Sequence, residues 1–137
     1  MIDAVIFDLD GVLIDSESVW DQARRGYVAE HGGRWREGAT RDMMGMSSTE
    51  WSRYLRERLG VERPSELVST EVASRVGALY RERLPLLPGA REAVDRLAAR
   101  WALGLASSSN REVIDLVLDV SGPGTRFEAT VSSDLYR

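Results

Sequence analysis

Near its start, at residues 4–16, the chain reads AVIFDLDGVLIDS. The first four residues form a short apolar run that contains β-branched side chains and is followed at once by polar and glycine residues, which is typical of a short buried strand. Side chains two residues apart on an extended backbone point to the same side. We therefore expect Asp8 and Asp10 to address one site where the strand ends, with Gly11 allowing the sharp backbone turn that follows.

Two later segments have the same character as the first. Residues 102–106 read ALGLA and end in the polar run SSSN, and residues 129–132 read ATVS. Sequences with helical character separate the three segments. This alternation predicts an α/β fold with a doubly wound, parallel, Rossmann-like sheet, whose ligands bind at the carboxyl ends of the strands.

The first and second predicted strands lie much further apart than a single crossover helix requires. The intervening residues predict several helices, so we expect an inserted helical cap at residues 16–87. Residues 1–15 and 88–137 would then form the α/β core.

Capping and breaking signals place the helices. Ser16 is a candidate N-cap for a helix that runs to about His31, and residues 47–50 (SSTE) form a capping-box pattern before a helix that Gly60 ends. Pro64 precedes a helix whose apolar stripe contains Val68, Val72, Val76, Leu79 and Tyr80. In the second half, Ser109 and Glu112 predict a capping box for a helix over residues 111–120.

The composition excludes several kinds of chemistry. The 137 residues include 18 basic side chains, all of them arginine, and contain no cysteine and a single histidine, His31. Thiolate nucleophiles, zinc–sulfur sites and Schiff-base lysines are therefore absent from this sequence. The formal net charge of −4 argues against a surface for nucleic acid or anionic membranes.

The sequence also predicts where the protein acts. Residues 101–110 are the longest stretch without a charged side chain, well short of the ~20 residues that a membrane span needs. No basic segment with a long apolar run follows Met1, so we expect no signal peptide. Together with the absence of cysteine, these features favour a soluble cytoplasmic protein.

The two aspartates suggest the chemistry of the site. Two neighbouring carboxylates repel each other, and a divalent cation relieves that repulsion; hard oxygen ligands favour Mg²⁺. One carboxylate of such a pair can attack an electrophile while the other acts as acid and base. The backbone amide of Gly11 could approach an anion closely.

Residues 7–16 resemble the first motif of the haloacid dehalogenase-like superfamily. The whole chain resembles the β-phosphoglucomutase-like branch of that superfamily, in which a helical cap is inserted directly after this motif. The resemblance implies a phosphohydrolase that acts on a small phosphorylated metabolite with Mg²⁺ as cofactor.

The resemblance also implies roles for individual residues. Asp8 would be the nucleophile that becomes an aspartyl-phosphate, and Asp10 would protonate the leaving oxygen and then activate water. Mg²⁺ would bind the Asp8 carboxylate and the main-chain carbonyl of Asp10. Ser107 matches the second motif, a hydroxyl that bonds the phosphoryl group. The remaining expected phosphate-binding residues are Gly11, Ser108 and Asn110.

Several residue differences separate this chain from members of the superfamily that catalyse other reactions. Dehalogenases that attack carbon lack an acid at the position of Asp10, and phosphonoacetaldehyde-type hydrolases need a cap lysine. The sugar-phosphate mutases of this branch carry a cap histidine where this chain has Trp20 and a cap arginine where it has Ser48. Plain phosphomonoester hydrolysis is therefore favoured over a mutase, which stays the alternative.

The cap would set specificity. The candidates are large side chains that could face the site: Trp20, Met43, Met44, Met46 and Trp51. His31 is expected at the end of a helix rather than in catalysis. Asp134 follows the third predicted strand, and we expect it to cap a loop rather than to bind metal.

Two further motifs of the superfamily, a lysine and a pair of acidic residues, would fall after Arg137. The resemblance therefore implies an active phosphatase of which this chain is the N-terminal portion, lacking the C-terminal third. The alternative is an inactive or binding-only remnant. In the resembled fold the first strand is central, so its edge at residues 4–7 would be open, which favours self-association.

Overall fold

The computed structural model describes residues 1–122 and 126–133. Its three strands are β1 (Ala4–Phe7), β2 (Ala102–Ser107) and β3 (Ala129–Ser132). The six helices of the described residues are α1 (Glu17–Glu30), α2 (Ala39–Asp42), α3 (Ser48–Leu59), α4 (Ser65–Glu82), α5 (Ala90–Ala98) and α6 (Arg111–Ser121). Within this part of the chain, no helix is both long and apolar enough to cross a membrane.

The strands form one parallel sheet in the order β1-β2-β3. Ile6 lies beside Gly104, and Ala106 lies beside Val131. The predicted α/β fold with a parallel sheet is therefore confirmed. Among the described residues β1 pairs only with β2, so its other edge is open.

The two faces of the sheet differ. Leu103 and Leu105 alternate on one face and are fully buried, in a core that also contains Val94 of α5 and Val117 of α6. On the opposite face, side chains at every second position are small or apolar and more exposed, and Ile6 is 74% exposed. Only one face of the described sheet is covered.

Local capping explains where α3 begins and ends. Glu50 Oε2 accepts a hydrogen bond from the Ser47 backbone N–H at 2.8 Å, and the Ser47 hydroxyl accepts from the Glu50 N–H, which confirms the predicted capping box. Gly60 ends α3 in the left-handed conformation. The predicted stripe of α4 is also confirmed, with four of its five members fully buried: Val68, Val72, Val76 and Tyr80.

Ser16 is the N-cap residue of α1, as predicted, although its hydroxyl makes no cap hydrogen bond there. The capping prediction for α6 was wrong. Asn110, not Ser109, is the N-cap residue of α6, and the predicted box with Glu112 does not form. In both cases the serine hydroxyl is used by a carboxylate of the site described below. The short helix α2 was not predicted, because its four residues carry too little periodic pattern.

The two segments that join α1–α4 to the sheet lie side by side. The Asp15 N–H donates to the Pro85 carbonyl at 2.8 Å, and the Leu87 N–H donates to the Leu13 carbonyl at 2.9 Å. A bridge between Ile14 and Leu86 completes this pairing. The four helices thus leave and rejoin the sheet at one place.

Candidate active site

Three serine hydroxyls hold the carboxylate of Asp10, directly after β1. Ser16 Oγ donates to Asp10 Oδ1 at 2.6 Å, while Ser107 Oγ and Ser109 Oγ donate to Oδ2 at 3.1 and 2.8 Å. The Ser109 N–H in turn donates to Ser107 Oγ at 3.1 Å. The end of β2 and the start of α1 therefore fix the orientation of this carboxylate.

Asp8, two residues earlier, has a different environment. Its side chain is exposed, and Oδ1 accepts a hydrogen bond from the neighbouring Leu9 N–H at 2.7 Å. The first aspartate is thus open to a ligand, whereas the second is held by its neighbours. A nucleophile beside a positioned acid–base group has this arrangement.

The predicted phosphate-binding residues are placed differently from one another. Ser107 contacts Asp10, and Ser108 lines the cleft beside it. The Gly11 N–H donates to the Ile14 carbonyl at 2.8 Å, in a turn where Gly11 has a positive φ of 76°. Asn110 Nδ2 donates to Ser69 Oγ of α4 at 3.0 Å, so this side chain joins α6 to α4. Phosphate binding by these residues stays a prediction.

An open cleft of about 140 Å³ lies between Asp10 and helices α1 to α3. Trp20 and Trp51, both predicted to set specificity, line it and contact each other edge to face with ring centroids 5.8 Å apart. The other lining residues are Ser16, Glu17, Arg24, Thr40, Met43, Met44, Gly45, Met46, Ser108 and Ser109. All five predicted cap residues therefore face the cleft that contains Asp10, and their role in specificity stays a prediction.

Sequence reasoning missed Arg24. Its guanidinium lies over the rings of Trp20 and Trp51, 5.0 and 4.8 Å from their centroids. Burial lowers the pKa of Arg24 to about 10, against the opposing effects of the Asp21 and Asp10 carboxylates and of Tyr80. The only signal in the sequence was its spacing of four residues from Trp20, which places both side chains on one face of a helix. The contact with Trp51 of α3, which also buries Arg24, has no such signal.

Tyr80 of α4 lies close enough to Asp10 and Arg24 to interact with both electrostatically. It is fully buried, and burial raises the pKa of its hydroxyl, with a further contribution from the Asp10 carboxylate. The side chain therefore stays an uncharged phenol. His31, by contrast, stacks on Tyr27 at a centroid distance of 4.1 Å at the end of α1, which confirms its predicted place at a helix end.

The oxygen ligands at the end of β1 fit the Mg²⁺ that was predicted. Magnesium binds proteins through one or two carboxylates and keeps several waters or substrate phosphate oxygens. In residues 1–122 and 126–133, no three acidic, histidine or cysteine side chains gather into a larger metal site. Asp8 and Asp10 would therefore provide only part of a coordination shell, and metal binding by them stays a prediction. Asp134 and Arg137 lie outside the described residues.

A parallel α/β sheet with helices inserted after its first strand, and two aspartates at that strand's end, defines a class of hydrolase. The sequence profile of the haloacid dehalogenase-like hydrolases matches residues 2–136. The chain belongs to this family.

Relatives of known name are phosphatases. The chain is 35% identical over 137 aligned positions to hexitol phosphatase B of Escherichia coli K12, covering 96% of this chain and 60% of that protein. It is 33% identical over 116 positions to a phosphorylated carbohydrates phosphatase of Thermotoga maritima, covering 83% of this chain and 54% of the relative. The chain thus spans a little more than half the length of the curated relatives it matches.

Solved structures share the fold. CbbY from Rhodobacter sphaeroides, crystallised with phosphate, superposes with a TM-score of 0.83 at 22% identity, over 98% of this chain and 65% of that one. A β-phosphoglucomutase from Clostridium difficile gives 0.78 at 24% identity, over 98% and 63%.

Proposed function

We propose that the protein is a Mg²⁺-dependent phosphohydrolase that cleaves a small phosphorylated metabolite through an aspartyl-phosphate. The observation that carries this proposal is the contrast between the exposed Asp8 and the hydrogen-bonded Asp10 at the end of one strand. The chain spans only part of its relatives' length. The activity is therefore proposed for the whole protein, with this chain as its N-terminal portion.

In the first step, a carboxylate oxygen of Asp8 forms a bond to phosphorus while the bond between phosphorus and the ester oxygen breaks. The Asp10 carboxyl gives its proton to the leaving oxygen, which departs as an alcohol. In the second step, Asp10 takes a proton from water as the water oxygen bonds to phosphorus. The bond from phosphorus to Asp8 then breaks and inorganic phosphate is released.

The remaining residues orient these two groups. The Ser16, Ser107 and Ser109 hydroxyls aim the Asp10 carboxylate, and Ser108 offers a hydroxyl to the phosphoryl oxygens. The Asp8 carboxylate and the Asp10 main-chain carbonyl would hold Mg²⁺, which supplies positive charge against the phosphoryl oxygens.

The proposal assigns substrate specificity to the inserted helices. Residues 16–87 would act as a unit that shapes the substrate pocket over the core formed by residues 1–15 and 88–137. The pairing of residues 13–15 with 85–87 supports these boundaries. The names of the curated relatives favour a phosphorylated carbohydrate as substrate. The cytoplasmic location and the self-association predicted from the sequence stay part of this proposal.

A mutase is supported less well. Ser48, which stands where related mutases carry an arginine, is fully buried at the start of α3. Trp20, which stands at the position of their histidine, packs against Trp51. Neither residue supplies the charge or the proton that a second phosphoryl transfer requires.

Phosphate release from p-nitrophenyl phosphate tests the proposal on the product of the complete reading frame. We expect release to require Mg²⁺ and to fall by at least about a thousandfold in both Asp8→Asn and Asp10→Asn, since each removes a reacting group. Asp15→Asn, an identical change at an exposed residue of the same loop, should retain activity. Full activity of Asp8→Asn would refute the proposal.

A further inference from the structure

The cleft contains one cation whose hydrogen-bonding capacity is not met. Arg24 Nε is buried and has no hydrogen-bond partner among the described residues. Within the same part of the chain, its guanidinium forms no ion pair either. The rings of Trp20 and Trp51 contact the face of the guanidinium, but a ring cannot accept the hydrogen bonds that its N–H groups offer in their own plane.

The two carboxylates that act on Arg24 electrostatically already have other partners. Asp21 accepts hydrogen bonds from Arg25 and from the Thr40 hydroxyl. Asp10 accepts from three serine hydroxyls, as described above. Other arginines of α1 and α4 show the contrast, because Arg25 pairs with Asp21 and Arg75 pairs with Glu30. A buried guanidinium N–H without a hydrogen-bond partner is costly to the folded protein, so its retention indicates a function at this place.

We propose that Arg24 binds an anionic group of the substrate other than the phosphoryl group that is transferred. This inference rests on the proposed function, which places the transferred group at Asp8. Arg24 and Asp10 line the same cleft, so one small molecule could reach both. The substrate would then carry a carboxylate or a second phosphate, and the planar guanidinium suits two-point binding of either group.

Such a substrate differs from a hexitol phosphate, in which the end of the carbon chain opposite the phosphate carries only hydroxyl groups. Hydroxyl groups can accept hydrogen bonds from Arg24 but leave its charge uncompensated. An anion would compensate both the charge and the hydrogen-bond donors of Arg24, and the burial of its Nε atom strengthens such an interaction.

Ligand pairs that differ only at the far end test this inference. Sorbitol 6-phosphate and 6-phosphogluconate share a carbon chain and a phosphate, but the second ends in a carboxylate; a hexitol 1,6-bisphosphate ends in a phosphate. Binding is followed by tryptophan fluorescence, because Trp20 and Trp51 contact Arg24. The Asp8→Asn background with Mg²⁺ prevents turnover during the titration.

We expect at least one of the two anionic ligands to bind at least about tenfold more tightly than sorbitol 6-phosphate, and the stronger of the two identifies the anion. Arg24→Met should abolish the preference and Arg24→Lys should retain part of it. Arg75→Met, which removes an arginine that lies over Tyr27 away from the cleft, should leave it intact.

Equal affinities for all three ligands, no binding of any of them, or a preference that survives in Arg24→Met would overturn the inference. Circular dichroism of Arg24→Met confirms that the variant is folded. Failure of the proposed function is distinguishable, because phosphate release is measured on p-nitrophenyl phosphate, a substrate with no second anion, and does not depend on the binding preference tested here.

Discussion

Asp10 depends on three hydroxyl groups from two parts of the chain, so each of them should affect catalysis. Ser109→Ala removes the 2.8 Å hydrogen bond to Oδ2 and leaves the other two in place. We expect kcat to fall roughly tenfold with little change in KM, the effect of one hydrogen bond that orients a reacting group. Ser52→Ala, which removes a buried hydroxyl bonded to the Thr49 carbonyl, is the matched control and should leave kcat unchanged. Equal kcat values in Ser109→Ala and the parent would contradict the role of Ser109.

Arg24 should lower the stability of the ligand-free protein. Burial lowers its pKa to about 10, so the folded protein holds this proton less tightly than the unfolded chain does. We expect Arg24→Met to raise the free energy of unfolding at neutral pH by about 1–3 kcal/mol. The penalty is present below the folded-state pKa and is relieved as the pH rises through about 10, so the gap should narrow there. Urea denaturation at several pH values measures both effects; a less stable Arg24→Met at neutral pH would contradict this account.

The residues of the site differ in how well the sequence predicts them. Asp8 and Asp10 come soon after β1 and Ser107 is the last residue of β2, so their common location follows from the topology of a parallel sheet. Ser109 matches a helix-capping pattern equally well, and only the position of Asp10 decides which partner its hydroxyl takes. Arg24 could not be found, because its burial requires Trp51 from a helix that lies far along the chain.

At the scale of helices, two glycines should respond in opposite directions to the same substitution. A Cβ atom at Gly33 would lie 2.6 Å from the Leu59 carbonyl oxygen and 2.8 Å from Val28 Cγ1, so α1 and α3 can approach there only without a side chain. At Gly26, inside α1, the nearest atom would be Arg75 Nη1 at 3.7 Å, an ordinary contact.

We therefore expect Gly33→Ala to lower the free energy of unfolding by about 1–3 kcal/mol through overpacking. Gly26→Ala should raise it by about 0.5–1 kcal/mol, because alanine favours the helix. Thermal unfolding of both variants measures the difference. A Gly33→Ala protein as stable as the parent would show that α1 and α3 are not packed as described.

Helix boundaries were predictable where a local signal fixes them. The Ser47–Glu50 capping box and Gly60 bound α3 using only neighbouring residues. At α6 the prediction was wrong by one residue, since Asn110 stands at the N-cap while its side chain bonds Ser69. Contacts from distant parts of the chain can thus override a local capping pattern.

For the whole molecule, the uncovered side of the sheet has a consequence for association. On that face Ile6 of β1 is 74% exposed and Val131 of β3 is 37% exposed, and the edge of β1 that faces away from β2 is open. Open strand edges and exposed apolar surface favour association of two chains. We expect sedimentation of this chain to show concentration-dependent oligomers that Ile6→Lys weakens. Leu67→Lys, at a 45% exposed leucine of α4, is the control and should not weaken them. A monomer at all concentrations would contradict the proposal.

The order of strands and helices was predictable from the spacing of apolar and polar segments along the sequence. The distance between the first two strands predicted an insertion, and the polar residues after each strand predicted the edge at which ligands bind. The cleft itself could not be predicted in the same way. Its walls combine residues from α1, α2, α3 and two strand ends, and their mutual packing is not encoded in any local pattern.

The central claim is that Asp8 carries the phosphoryl group during turnover. Rapid acid quenching of the active protein with substrate and Mg²⁺, followed by mass spectrometry of its peptides, measures this directly. We predict a phosphoryl adduct on Asp8 that is absent from the Asp8→Asn protein. Turnover without an adduct on Asp8, or with the adduct on another residue, would contradict it.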